Sequence, residues 1–247
     1  MILSKKQMTE EDIKLNYITP AINRSGWQNG VNITMETKIT DGRINLTGNI
    51  AFRENPKKAD YLLYLNKYHP IAVVEAKDNN HTISHGLQQA KTYAQMLDLP
   101  FAYSSNGDGF QEFDFLTGAE RTLTMNEFPS VDALVARYKA ERNDGSGLSE
   151  EEQKLMDQPF YSSQNTFPPR YYQRNAVNRT LDAIARGQDR ILLVMATGTG
   201  KTYTAFQIVY RLLSSGVKRK VLYLADRNNL VDQSIQQDFS PLEKVIH

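Results

Sequence analysis

The stretch ADYLLYLNKYHPIAVVEAKD, residues 59–78, decides the fold. Two apolar runs, Asp60 to Leu65 and Ile71 to Ala76, flank Asn66 to His69 and the His69-Pro70 break, the pattern of an antiparallel hairpin. Pairing Leu65 with Pro70 across that loop sets Asp60 opposite Glu75. Side chains alternate along a strand, so Glu75 and Lys77 share a face and Ala76 points away. Asp60, Glu75 and Lys77 then fall in one small patch. Like charges opposed at about 5 Å between Cβ atoms destabilise a sheet, and with Leu62, Val73 and Val74 as neighbours a compensating charge is expected. Mg²⁺ accepts carboxylate oxygens while keeping several waters. Lys77 beside it would stabilise charge developing on a phosphate or orient the attacking water. A plain hairpin with solvated charged ends has the same string; apolar residues on both faces argue for a central, buried one.

Working outward, Thr9 and the acids after it start a helix that carries Ile13, Tyr17 and Ile18 at helical spacing and ends at Gly26. Glu10 in that helix is either an extra acid near the metal or part of the cap, and capping is the favoured reading. Strands are expected over Val31 to Ile39 and Arg43 to Phe52. Beyond the hairpin, a helix from Ser84 to Leu97 lines up Leu87, Ala90, Ala94 and Leu97 on one face, and strands Phe101 to Ser105 and Gly109 to Phe115 flank Asn106-Gly107-Asp108. Gln89 and Tyr93, four apart on its flank, are either site residues or an amphipathic boundary pair. His81 and His85 have the spacing of a metal pair but no third ligand in reach, so a solvated helix start is expected there.

The chain of 247 residues carries 29 Lys and Arg against 28 Asp and Glu, a net charge of +1. Charge therefore announces no partner class, although a basic groove can be offset by acidic surface elsewhere. Cysteine is absent, which excludes disulfide scaffolds, thiolate zinc sites and cysteine nucleophiles. The longest apolar stretch, Ile191 to Ala196, is far below the roughly 18 residues that span a bilayer, and MILSKKQMTEEDIK lacks a signal peptide's apolar stretch. A cytoplasmic address with no membrane partner is expected. Over Glu141 to Arg170 the composition turns to NDGSG, SEEEQK and SSQNTFPPR, room for one short helix at most. This places a first domain at residues 1–145, a linker at 146–168 and a second unit at 169–247.

That second unit reads as a helix through Ala176 to Ala185, the strand ILLVMA, a glycine-rich loop, a helix from Lys201 to Leu213 and a strand Val221 to Ala225. Strand, loop, helix and strand in this order make a βαβ unit of a parallel sheet. Only about 80 residues are present, fewer than an α/β nucleotide-binding domain uses, so a truncated domain of a longer protein is expected. Thr197, Gly198, Thr199 and Gly200 can turn their N–H groups inward onto the start of the following helix. Lys201 can then reach β and γ phosphates, and Thr202 offers a hydroxyl to Mg²⁺. Met195 stands where the strict phosphate-loop pattern has glycine, which argues against a GTPase-like loop. Gln173 upstream has an amide able to pair with adenine's edge. Arg227 downstream reads, from the residues alone, as a charged strand end in solvent. No Asp-Glu pair ends a strand after Lys201, so ATP binding is expected of this piece and ATP turnover is not.

Asp60, Glu75 and Lys77 resemble the PD-(D/E)xK nuclease core, without its proline since Ala59 precedes Asp60, and Gln89 with Tyr93 resembles the QxxxY extension of a nuclease subfamily. MATGTGKT resembles motif I of superfamily 2 helicases and translocases, with Gln173 and VLYLADRNNLVDQ in the places of an adenine-reading glutamine and motif Ia. In chain order EEDIKLNYITPAINRSGW, ADYLLYL, PIAVVEAKD, LQQAKTYA, SSNGDGF, RYYQRNAV, MATGTGKT and LADRNNLVDQ resemble the N-terminal part of the restriction (R, motor) subunit of type I restriction-modification enzymes. The resemblance implies an α/β fold, a PD-(D/E)xK nuclease core followed by the beginning of a RecA-like helicase domain. It implies an ATP-driven motor on double-stranded DNA, associated with methyltransferase (M) and specificity (S) subunits, that cuts unmodified DNA by Mg²⁺-dependent phosphodiester hydrolysis. Asp60 and Glu75 would hold the metal, Lys77, Gln89 and Tyr93 would complete the cutting site, Gln173 and Thr197 to Thr202 would bind ATP, and Arg227 would touch DNA. Two other readings use the same parts: a repair or recombination nuclease-helicase, and a non-catalytic DNA-binding assembly module with a vestigial nuclease core.

Overall fold

The computed structural model describes residues 4–40, 44–47, 50–53, 55–66, 69–140, 147–163, 168–224, 239 and 241–242. They form two compact units, Met1–Gly147 and Leu148–His247.

In the first unit Thr9 caps α1 (Glu10–Ile13): its side chain accepts from the Asp12 N–H at 3.2 Å, and Asp12 reaches back to the Thr9 N–H at 3.0 Å. The chain then widens into a π-helical turn over Lys14–Ile18 and continues as α2 (Thr19–Arg24). Ile13, Ile18, Ala21 and Ile22 form the buried stripe of this helical segment. A six-stranded sheet follows, in the order β1-β4-β5-β6-β7-β8. Its strands are β1 (Ile33–Thr40), β4 (Lys57–Asn66), β5 (His69–Ala76), β6 (Phe101–Ser105), β7 (Gly109–Asp114) and β8 (Glu120–Thr124). β2 (Ile44–Thr47) and β3 (Ile50–Arg53) pair with each other in a separate hairpin. Only β5 and β6 run parallel, and α3 (Leu87–Leu97) makes the crossover that a parallel pair requires. β5 is buried from Pro70 to Ala76, as expected of a strand covered on both faces.

Several boundaries differ from the sequence reading. The strand expected over Arg43 to Phe52 is the β2–β3 hairpin. The helix expected from Ser84 begins at Leu87, because residues 83–86 form a turn that ends on Gly86 as N-cap. β8 and α4 (Val131–Ala140) were not anticipated; β8 buries only Leu123, too little apolar content to announce a strand.

In the second unit α5 (Glu150–Asp157), capped by Ser149, falls in the stretch read as linker and buries Leu155 and Met156. α6 (Tyr171–Ala185) and α7 (Lys201–Ser214) supply Val177, Leu181, Phe206 and Leu212 to the core. Gln207 on α7 bonds both backbone groups of Tyr161, at 2.9 and 3.1 Å. The βαβ expectation is corrected: among the described residues this unit has no strand. A strand is stabilised by the neighbours whose N–H and C=O groups it pairs with. Ile191 to Val194 and Val221 to Leu224 have no such ladder and stand exposed, Leu192 at 85% and Leu222 at 81%.

Candidate active site and phosphate loop

β4 and β5 pair Tyr61 with Val74, Leu62 with Val73 and Leu63 with Ala72. One step further along this register, Asp60 lies across from Glu75. The Ala76 N–H donates to Asp60 Oδ2 at 2.8 Å, and the Asp60 N–H approaches Glu75 Oε1 at 3.4 Å. Toward the loop the register shifts to Tyr64 with Pro70 and Asn66 with His69, in place of the expected Leu65–Pro70 pair. Pro70 has no N–H to give the ladder, and irregularities of this kind are where strand prolines sit. The shift is absorbed before the carboxylates.

Glu75 is 1% exposed. Burial foremost, and then the Asp60 charge, push its carboxyl up to about 9, so it holds a proton at neutral pH. Lys77 anchors its N–H on the Ser105 carbonyl at 2.8 Å and places Nζ 3.8 Å from Glu10 Oε2. Glu10 is therefore beside the cluster, and the capping role is corrected, since Thr9 and Asp12 make that cap. Burial raises the Glu10 carboxyl despite the opposing charge of Lys77.

Three contributors escaped sequence reasoning. Lys14 is 1% exposed, with Nζ 3.1 Å from Asp60 Oδ1, 2.9 Å from Glu11 Oε1 and in contact with Glu36. Burial opposes its charge, yet the contacts with Glu36, Glu11 and Asp60 outweigh this and hold its pKa above the usual lysine range. Glu36 lies in β1 between Met35, which pairs with Tyr61, and Thr37, which pairs with Ala59. Its backbone has φ of 51°, the left-handed region that non-glycine residues avoid. Gly86 is the third: a Cβ there would stand 3.3 Å from Glu75 Cβ and 3.5 Å from Lys77 Cε, so its missing side chain lets α3 start against the cluster. A glycine before a helix is a visible signal; a lysine and a glutamate in amphipathic elements are not.

On α3 the Gln89 amide donates to the Tyr93 hydroxyl at 3.2 Å. Tyr93 is buried, and that burial, with the nearby charges of Glu75 and Asp60, raises its phenol. Gln89 is exposed. His81 and His85 stack at 4.2 Å between ring centroids in the turn ahead of α3, with His81 Nδ1 3.1 Å from Asp78.

In the second unit Gly198 and Gly200 take positive φ of 76° and 81°, and Gly200 is the N-cap of α7. Thr197 and Gly198 are exposed, Thr199 bonds the Ala196 carbonyl through its hydroxyl at 2.6 Å, and Lys201 Nζ rests 3.3 Å from the Met195 carbonyl. Thr202 follows in the first turn of α7. Gln173 lies against the loop: Nε2 donates to the Thr199 carbonyl at 2.9 Å and Oε1 accepts from the Arg170 N–H at 2.9 Å. One amide hydrogen and one lone pair are not used by these two bonds, and a Cβ at Gly200 would collide with that amide nitrogen. Arg227 lies outside the described residues.

Residues 31–129 match the family model described as the N terminus of the type I restriction enzyme R protein (HSDR_N), and residues 166–245 match that of the type III restriction enzyme res subunit. The EcoAI endonuclease subunit of Escherichia coli, a type I restriction enzyme, is 43% identical over 244 residues, which cover 97% of this chain and 30% of that relative. The chain belongs to the HsdR family of type I restriction enzymes. The EcoKI endonuclease subunit of Escherichia coli K12 is 29% identical over 237 residues, covering 76% of this chain and 19% of that protein. A solved fragment assigned to an HsdR subunit from Vibrio vulnificus superposes with a TM-score of 0.75 at 41% identity, over 84% of this chain and 38% of that one. This HsdR chain thus spans under a third of the length of either curated relative.

Among the described residues no group of three or more His, Cys, Asp or Glu side chains is arranged to hold a metal ion. The opposed pair nonetheless fits Mg²⁺, which is commonly bound through one or two carboxylates, waters and substrate phosphate. A glutamic acid this deeply buried beside a second carboxylate is a donor that a divalent cation would ionise. No helix among the described residues is long and apolar enough to cross a membrane.

Proposed function

We propose that residues 1–145 of this HsdR-family chain are a PD-(D/E)xK endonuclease domain, and that residues 169–247, after the 146–168 segment, begin a RecA-like ATPase/translocase domain. The opposed Asp60–Glu75 pair, with Glu75 buried and Lys77 directly after the strand that carries it, carries the reading. Asp60 and Glu75 are the residues that would hold Mg²⁺, and bound there the ion would supply a water of lowered pKa and a Lewis acid for a phosphoryl oxygen. Lys77, tethered at its backbone by Ser105, keeps an ammonium available to the scissile phosphate. Tyr93, bonded by Gln89, buried on α3 and within reach of the charges of Glu75 and Asp60, would complete the site on that side.

The Thr197–Gly200 backbone and the N-terminus of α7 suit phosphate oxygens, with Lys201 on the β and γ positions, Thr202 on Mg²⁺ and Gln173 on adenine. Arg227 is proposed as a DNA phosphate contact on the strength of its sequence context. The whole subunit, in the cytoplasm with methyltransferase (M) and specificity (S) subunits, would translocate double-stranded DNA with ATP and cut unmodified DNA. The test is the assembled full-length subunit, wild type against Lys77→Ala, assayed for DNA cleavage and DNA-stimulated ATP hydrolysis together. Lost cleavage with retained ATP hydrolysis is expected; cleavage that persists would remove the nuclease from this hairpin.

A further inference from the structure

Two separate backbone irregularities converge on Asp60. The first helical segment departs from α geometry at Lys14–Ile18, and the first residue of that π turn is the buried lysine on Asp60. β1 departs from strand geometry at Glu36, whose φ of 51° falls at the residue the register sets across from Asp60. π turns and left-handed non-glycine residues are costly and persist where the surroundings enforce them, often at functional sites. Here each one delivers a charged side chain to the same ammonium–carboxylate cluster.

We propose that Lys14 is a built-in counter-cation of the cutting site, a positioning residue that holds Asp60 in place of a divalent ion and competes with that ion, while Glu11 and Glu36 retain its ammonium once Asp60 turns to the metal. This rests on the reading of Asp60 and Glu75 as metal ligands. The stoichiometry of contacts supports it. Lys14 has three carboxylate partners, Asp60 at 3.1 Å, Glu11 at 2.9 Å and Glu36, so losing Asp60 leaves it two. Asp60 in turn uses one oxygen for Lys14 and the other for the Ala76 N–H. Its orientation is therefore set before any metal arrives. With Lys14 at 1% exposure its ammonium has no access to a DNA phosphate, which separates its role from that of the half-buried Lys77.

The two sides of the cluster predict opposite effects. Lys14→Met removes the competing charge, so the chain should melt at lower temperature in EDTA, bind Mn²⁺ or Mg²⁺ about tenfold more tightly, and gain more thermal stability from the ion than wild type does. Glu36→Gln, at a half-exposed side chain, leaves Lys14 one retaining carboxylate fewer and should weaken ion binding. Calorimetry and thermal melts of the 247-residue chain, with each ion alone, measure both. Equal ion affinity in wild type and Lys14→Met, or an Mn²⁺ affinity in Glu36→Gln that equals or exceeds wild type, overturns the proposal. Should Lys14→Met not fold, Glu36→Gln decides alone. Asp60→Ala separates the underlying reading: if wild type and Asp60→Ala bind the ions alike, the metal-site assignment itself fails.

Discussion

Glu75 shows at the scale of one residue what a buried carboxylate costs the fold. Its carboxyl, raised to about 9 by burial and by Asp60, binds a proton in the folded chain that the unfolded chain releases near its ordinary 4.5. Folded stability is therefore lost as pH climbs from about 4.5 to about 9, amounting to about 3 kcal/mol at pH 7. Glu75→Gln keeps the shape and removes the titration, so in EDTA it should melt higher than wild type at pH 8 and about equally at pH 4.5. A melting-temperature series against pH checks this, and equal melting temperatures at pH 8 would mean that Glu75 is ionised in the fold. Asp60, Glu75 and Lys77 were legible because strand alternation and a short loop fix which residues face each other. Lys14 and Glu36 were not: a lysine on a helix usually reaches water along its stem, and nothing in a non-glycine sequence announces a left-handed strand residue.

Elements are joined in the first unit by a second ionic network, away from the proposed chemistry. Glu112 on β7 is 1% exposed and accepts from Arg121 of β8 at 2.6 Å, from Arg137 of α4 at 2.9 and 3.0 Å, and from the Tyr103 hydroxyl of β6. Arg137 also bonds Asp114 at 2.6 Å and lies 4.5 Å over the Phe101 ring. Burial works against the Glu112 charge, but the hydrogen bonds from Arg137, Arg121 and Tyr103 prevail and lower its pKa. A depressed carboxylate stabilises the fold above its unfolded value near 4.5, and that contribution is lost as pH falls below it. Glu112→Gln should therefore destabilise the unit at pH 7, by about 2 kcal/mol since Arg137 loses its charge-assisted bonds to Glu112 while keeping Asp114, and flatten the acid limb of its stability curve. Urea melts at pH 7 and pH 3.5 read both; an unchanged acid limb would show that Glu112 is not the group titrating. α4 went unseen in the sequence because it is held by Arg137 as much as by its buried Leu134 and Tyr138, and charge pairing over long sequence separation leaves no periodic trace.

Across the whole molecule the two proposed ligands belong to different units, and one residue reports on only one of them. Trp27 is the sole tryptophan, fully buried in the Met1–Gly147 unit, with its indole N–H on the Pro129 carbonyl at 2.9 Å. The glycine turn into α7 in the other unit was legible because glycines at positive φ before a helix are local chemistry. The two strands read at ILLVMA and VLYLA do not form among the described residues, because those strings state only that they are apolar, and a ladder depends on partners elsewhere in the chain. Ligand binding to the folded state raises stability by about 2.7 kcal/mol at a hundredfold excess over Kd. Mg²⁺ alone should accordingly raise the thermal midpoint seen in Trp27 fluorescence, by several degrees for a unit of this size, while ATP without Mg²⁺ leaves that midpoint in place. Lys201→Ala should not alter the Trp27 response to Mg²⁺, whereas Asp60→Ala should abolish it. An ATP-induced shift of the Trp27 midpoint that Lys201→Ala removes would mean that the two units unfold as one, and nucleotide binding would then stabilise the cutting site directly.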